Sequence, residues 1–140
     1  MPMLPASTTF DPAALTAALR RFPSIRAAWL FGSARDGRVR PGGDVDIGVW
    51  CARRPRWQTL DSMIAAVQQA TGVENVDVCV LNDAAAILRF EAVCGRRLLA
   101  RAGADYPGFA SLAAREYESA MALLHDYAPR HRAAPRGPRR

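Results

Sequence analysis

Asp44 and Asp46 stand two residues apart in an alternating segment, Asp44-Val45-Asp46-Ile47-Gly48-Val49. On a β-strand such positions project from one face, so both carboxylates point the same way while Val45 and Ile47 enter a core on the other side. Two carboxylates that close repel each other unless a cation neutralises them. With hard oxygen ligands and no His or Cys beside them, the fitting ion is Mg²⁺, which takes one or two carboxylates and completes its shell with substrate phosphates. A solvated strand face would show the same dipeptide pattern. Upstream, an apolar run ends in Gly32-Ser33. Glycine there permits a close backbone approach to a ligand and a positive φ, and the serine hydroxyl suits a phosphate oxygen. A helical turn beginning at this point would add free N–H groups and a dipole for an anion. Asp77 is the second residue of the next alternating segment, Val76-Asp77-Val78-Cys79-Val80. If that strand lies in register beside the first, its carboxylate joins the same face, ready to bind a second metal or take an acceptor's proton.

The elements that must hold these groups can be read from periodicity. Asp11-Pro12 has the form of an N-cap followed by proline in the first helical turn; Leu15, Leu19 and Phe22 follow on one face, and Pro23 closes the segment. Ile25 to Phe31 reads as a first strand, and the glycine-rich stretch from Gly32 to Gly43 as a tight turn and loop. Val45, Ile47 and Val49 mark the second strand, and Trp57, Leu60, Ile64 and Val67 an amphipathic helix ending near Gly72. In the third strand Val76, Val78 and Val80 alternate with Asp77, Cys79 and Leu81; Asp83 is expected to cap a helix through about Cys94, and Arg97 to Arg101 to form a short last strand. From Asp105, Phe109, Leu112, Tyr117, Ala120, Met121 and Leu124 recur at helical spacing, a stripe that would pack on the body or on a partner chain. The pattern fits one α/β (α+β) domain, with a small mixed sheet flanked by helices and a C-terminal amphipathic helix.

At 140 residues the chain has room for one ordinary core, and its half-apolar, 23% charged composition is that of a globular domain. No apolar run approaches the ~20 residues that span a bilayer, and Met1 to Phe10 lacks the form of a secretory signal, so a cytoplasmic location is expected. Cys51, Cys79 and Cys94 are far apart and without metal-ligand spacing, which argues against structural zinc; Cys79, inside an apolar run, is expected in the core. The net charge of +6 lies mostly at the end of the chain. Without Arg130, Arg132, Arg136, Arg139 and Arg140, fourteen basic residues face thirteen acidic ones. Three segments follow: an N-terminal extension over 1–10, the domain over 11–128 with its last helix about 105–128, and a basic tail over 129–140 expected to be disordered. Any contact with nucleic acid would come through that tail.

Gly32-Ser33, ten intervening residues and Asp44-x-Asp46, with a third acid about thirty residues later on another strand, resembles the G-S-x₁₀-D-x-D motif of the DNA polymerase β-like nucleotidyltransferase superfamily. In its small size and last helix the chain looks most like the minimal nucleotidyltransferases, the MNT or MntA-like antitoxins paired with HEPN ribonuclease toxins. The resemblance implies the polymerase β-like fold and transfer of AMP, or another nucleoside monophosphate, from ATP or a similar triphosphate onto a tyrosine hydroxyl of a cognate toxin. It implies metal ligation by Asp44, Asp46 and Asp77, with Asp77 also handling the attacking hydroxyl, and nucleotide phosphates on Gly32, Ser33 and Arg35. Arg35, Arg38 or Arg40 would steady the leaving pyrophosphate. Two positions depart from the family pattern: Gly43 replaces the usual serine before the first aspartate, and Asp36 stands where arginine is common, with Arg35 one position earlier. Transfer to a small molecule or an RNA 3′ end, and neutralisation of a partner by contact alone, are the competing readings.

Overall fold

The Asp11 carboxylate accepts a hydrogen bond from the Ala13 N–H at 3.0 Å, and Pro12 occupies the first turn, so the chain's first helix begins where its side chains dictate. The computed structural model describes residues 6–132, with side chains to residue 127. In chain order it contains β1 (Thr8–Thr9), α1 (Pro12–Arg20), β2 (Ile25–Phe31), β3 (Arg38–Val39), β4 (Val45–Cys51), α2 (Trp57–Thr71), β5 (Val76–Val80), α3 (Ala86–Val93), β6 (Arg96–Ala100) and α4 (Tyr106–Arg132). Single 3₁₀ turns at Gly32–Ala34 and Leu81–Asp83 close β2 and β5.

Four strands form a mixed sheet in the order β5-β4-β2-β6. β2 pairs antiparallel with both β4 and β6, whereas β4 and β5 run parallel. A parallel pair needs a crossover, and the fifteen-residue α2 provides it. Side-chain alternation sorts the sheet's faces. Ala28 and Leu30 of β2 and Val45, Ile47 and Val49 of β4 pack with Leu15 and Leu19 of α1 and Met63 and Val67 of α2. Ala27, Trp29 and Phe31 pack on the opposite side with Leu81 and with Ala92 of α3. Because both faces of β2 are covered from Ala27 to Phe31, that stretch reads as a continuous apolar run rather than an alternating one, with Arg26 exposed before it.

The second face is closed by α3 and α4. Gly48 of β4 lets α3 approach, since a Cβ there would lie 2.9 Å from the Ala92 Cβ and 3.0 Å from Leu81 Cδ1. From α4, Phe109 stacks on Trp50 (centroids 4.5 Å apart) and on Trp29 (5.9 Å). Arg89, with 13% of its side chain exposed, ties the layer together. It donates to Glu116 at 3.0 Å and to the Leu81 and Asn82 carbonyls at 3.0 Å each. The Asn82 amide in turn exchanges two hydrogen bonds with the Cys51 backbone, prolonging the sheet's edge by one side chain.

Several expectations are corrected. Asp83 does not cap α3: it ends the 3₁₀ turn that carries Leu81 into the core, it faces Arg54 at 3.4 Å on the surface, and the helix starts only at Ala86. Cys79 is half-buried rather than a core residue, because its face of β5 borders a cavity. Of the expected stripe on α4, Phe109 packs on the body with Ala113 buried near it, whereas Leu112, Met121 and Leu124 are exposed, which excludes the body for these three but not a partner chain. Residues 8–9 of the expected extension form β1, paired antiparallel with β3. The backbone of α4 is helical through Arg132, past the expected end at 128, while residues 133–140 of the basic tail lie outside the described residues. Among the described residues no helix is long and apolar enough to cross a membrane.

Replacing Arg89 with methionine keeps much of its volume but strands two carbonyls and Glu116. We expect a loss of about 2 kcal/mol in urea unfolding, against under ~1 kcal/mol for Glu116→Gln, whose carboxylate is more exposed.

Candidate active site

The parallel register of β4 and β5 sets Asp46 directly opposite Asp77, and Gly48 opposite Cys79. Phe31, the last residue of β2, lies opposite Asp46 on the other side. The expected meeting of Asp46 and Asp77 on one face is therefore what the strands produce. Asp44 lies one residue before β4 and is exposed. Burial first, and then the charges of Asp44 and Asp77, push the Asp46 carboxyl above its usual range. The Cys79 thiol feels the same field: burial first, then Asp77 and Asp46, push it up to about 12.

Gly32 opens the 3₁₀ turn with φ of 77°. Two constraints make it glycine. That φ is unfavourable for an L side chain, and a Cβ would run into the Asp46 carboxylate. Gly32, Arg35, Asp46 and Asp77 line one cavity of about 610 Å³. Its other wall comes from α3 and the turn after it (Leu88, Phe90, Glu91 and Cys94) and from Tyr117 of α4. Asp44 opens instead on an adjoining hollow that it shares with Asp77, Glu74 and Asn75. Ser33 faces the far side of its turn, into a hollow lined by Ser7, Asp36, Arg38 and Arg40. Four of the six predicted residues thus share the main cavity, Asp44 adjoins it, and Ser33 does not enter it.

Both departures from the motif have a structural reason. The Gly43 N–H donates to the Arg40 carbonyl at 2.8 Å, and a Cβ on Gly43 would lie 2.9 Å from that oxygen, so this loop has no room for serine. Asp36 caps its own turn, accepting from the Arg38 N–H at 3.0 Å, while Arg35 brings the cation to the cavity wall.

The sequence model of the family Polymerase beta, Nucleotidyltransferase matches residues 14–103. The chain belongs to this nucleotidyltransferase family. Among curated proteins none matches it in sequence. Its fold is similar to that of a chain in a toxin–antitoxin crystal structure with AMP-PNP, at a TM-score of 0.72 and 21% identity over 89% of this chain and all of the other. It is similar too to a chain of the MntA–HepT toxin–antitoxin complex, with TM-score 0.66 and 20% identity over 87% of this chain and 97% of the other. A third likeness is to a chain of the tri-AMPylated Shewanella oneidensis HEPN toxin in complex with MNT antitoxin, with TM-score 0.67 and 21% identity over 87% and 96%.

In this nucleotidyltransferase the donor set is all oxygen, and among the described residues no three His, Cys, Asp or Glu side chains form a group that could hold a metal by themselves. The carboxylates of Asp46 and Asp77, with Asp44 beside them, are hard oxygen donors of the type that suits Mg²⁺ when substrate phosphates complete its shell. Sequence reasoning missed the α3 wall, Leu88, Phe90, Glu91 and Cys94. It missed Cys79 too, although the place of that residue two positions beyond Asp77 on an alternating strand was a signal that could have found it.

Two substitutions test this geometry. Gly32→Ala should displace the Asp46 carboxylate and lower nucleotide transfer on the order of 100-fold in a steady-state assay, the scale of a misplacement of about 1 Å. Asp46→Asn removes a half-buried charge and its repulsion, so without added metal its melting temperature should rise by about 2–4 °C.

Proposed function

We propose that the chain is an Mg²⁺-dependent enzyme that transfers AMP from ATP to a tyrosine hydroxyl of a HEPN-type toxin and so acts as that toxin's antitoxin. The observation that carries the chemistry is the side-by-side placement of Asp46 and Asp77 against the glycine turn at Gly32. The acceptor is argued from the neighbours in fold, among them a tri-AMPylated HEPN toxin in complex with MNT antitoxin.

Asp44, Asp46 and Asp77 would hold the ion, which when bound neutralises triphosphate charge and supports the reacting oxygens. The turn at Gly32 lets the nucleotide phosphates approach the backbone closely. Asp77, exposed at the cavity edge, orients the acceptor hydroxyl and accepts its proton. The hydroxyl oxygen attacks the α-phosphorus, its bond to that atom forms, and the bond to the β-phosphate bridge breaks to release pyrophosphate. Arg35, on the cavity wall, stabilises the charge that develops on the leaving group. An AMP group added to a toxin's tyrosine would block its site with bulk and negative charge. The exposed half of α4, with Met121 and Leu124, remains available for contact with such a partner.

Incubating the full chain with α-labelled ATP, Mg²⁺ and a HEPN-type partner should label the partner on tyrosine. Asp44→Asn/Asp46→Asn, or excess EDTA, should reduce labelling by at least ~10³-fold, as expected when a catalytic charge cluster is removed. Neutralisation of the partner with no label from any nucleotide would replace this reading with inhibition by contact. Label on RNA or a small molecule instead would keep the chemistry and change the acceptor.

A further inference from the structure

The apolar wall of the cavity takes no part in the chemistry above. Phe90 of α3 and Tyr117 of α4 lie face to face, with ring centroids 4.1 Å apart and planes 17° from parallel. Both are half-buried, and both line the cavity that holds Asp46 and Asp77. The residues just before them, Arg89 and Glu116, form the ion pair between the same two helices. The rings are therefore held by a fixed base. Phe109 offers a contrast: it stacks on Trp50 and Trp29 inside the second core and does not line this cavity. Phe90 and Tyr117, by contrast, are half-buried and line the cavity as a stacked pair.

A nucleoside triphosphate is a polyanion at one end and a flat aromatic ring at the other. The cavity has two unlike walls: strand-borne carboxylates, Arg35 and the glycine turn on one, and on the other the stacked aromatic rings with Leu88, Cys94 and the Glu91 carboxylate beside them. Its volume of about 610 Å³ lies in the range of small-molecule sites. We propose that Phe90 and Tyr117 are the nucleobase platform of this enzyme, a base extending the two-ring stack, and that the platform favours purines, whose fused rings cover more of it. This rests on the reading that the aspartates and the glycine turn take the triphosphate. Recognition is by ring face, so adenine and guanine should be held alike.

The test is calorimetric binding to the full chain with Mg²⁺, comparing ATP, GTP, CTP, UTP, ribose 5-triphosphate and inorganic tripolyphosphate. Wild type should bind ATP and GTP on the order of tenfold more tightly than ribose 5-triphosphate, with CTP and UTP between. Tyr117→Leu and Phe90→Leu should erase most of that gap and leave tripolyphosphate binding unchanged, whereas Tyr117→Phe should preserve it. Equal wild-type affinity for ATP and ribose 5-triphosphate overturns the platform without any variant, so a leucine variant that folds poorly does not block the test. Leucine variants that melt like wild type and keep the gap overturn it too, leaving the rings as glue between α3 and α4. Equal binding of all four nucleotides overturns the purine preference. If wild type binds neither ATP nor tripolyphosphate, the triphosphate reading itself falls, an outcome distinct from losing the base contribution alone.

Discussion

The parallel pairing of β4 with β5, Asp46 opposite Asp77, is the constraint on which the rest of the molecule depends. It brings two carboxylates together against their mutual repulsion, with burial adding to the cost for Asp46. What enforces it is the opposite face. Val45, Ile47 and Val49 of β4 and Val78 of β5 point into the core under α1 and α2. A slip of one residue in either strand would expose valines and bury an aspartate among them, so the hydrophobic pattern fixes the register and the register fixes the charges. The parallel sense follows from α2, whose buried Met63 and Val67 seat the crossover on that same core. The apolar core thus holds in place an arrangement that electrostatics alone would disperse.

The second face has a different task. It must leave a cavity over the carboxylates while still closing the sheet elsewhere. Gly48 admits α3 close to β4, and stacking of Phe109 on two tryptophans seats the start of α4. Arg89 then joins α3, the 3₁₀ turn and α4 through one guanidinium. Because these contacts lie beside the cavity rather than in it, the wall is fixed without filling the space a substrate needs. A site built on strands, with supports on two packed helices, is better able to keep its geometry than one carried by loops.

The legible parts of this molecule are those decided by neighbours in sequence. β2 falls at Ile25–Phe31, as the apolar pattern predicts, β5 at Val76–Val80, one residue short of the expected alternation through Leu81, and the Asp11-Pro12 start of α1 is a local hydrogen bond. The face shared by Asp46 and Asp77 follows from strand alternation once register is supposed. What was not legible depends on distant partners. Two-residue strands such as β1 and β3 carry no periodicity, and they exist because Thr8 and Thr9 meet Val39 and Arg38. Asp83 has the chemistry of a cap, but the need to bury Leu81 commits those residues to a 3₁₀ turn. The direction of Ser33 depends on how its turn packs beside β3 and β4, while the half-exposure of Cys79 and the aromatic wall of Phe90 and Tyr117 arise only when α3 and α4 close over the sheet.

The charge of the cavity constrains how a nucleotide can enter. Among the described residues lining it, Arg35 is the one cation, set against Asp46, Asp77 and Glu91, with Asp44 and Glu74 in the adjoining hollow. A triphosphate brought alone into such a field would add repulsion to repulsion, and a single arginine cannot offset it. A divalent ion brought alone would find carboxylates, but among the described residues no three of them gathered into a group that could hold it. On the proposed reading each ligand would supply what the other lacks, and their binding would be reciprocally coupled, each raising the affinity for the other by the same factor. The carboxylate pairing is costly in the fold by itself, and on that reading the cost would be offset in the ternary complex. A site of that kind discriminates against lone phosphates and lone cations alike, and it becomes competent when both arrive together.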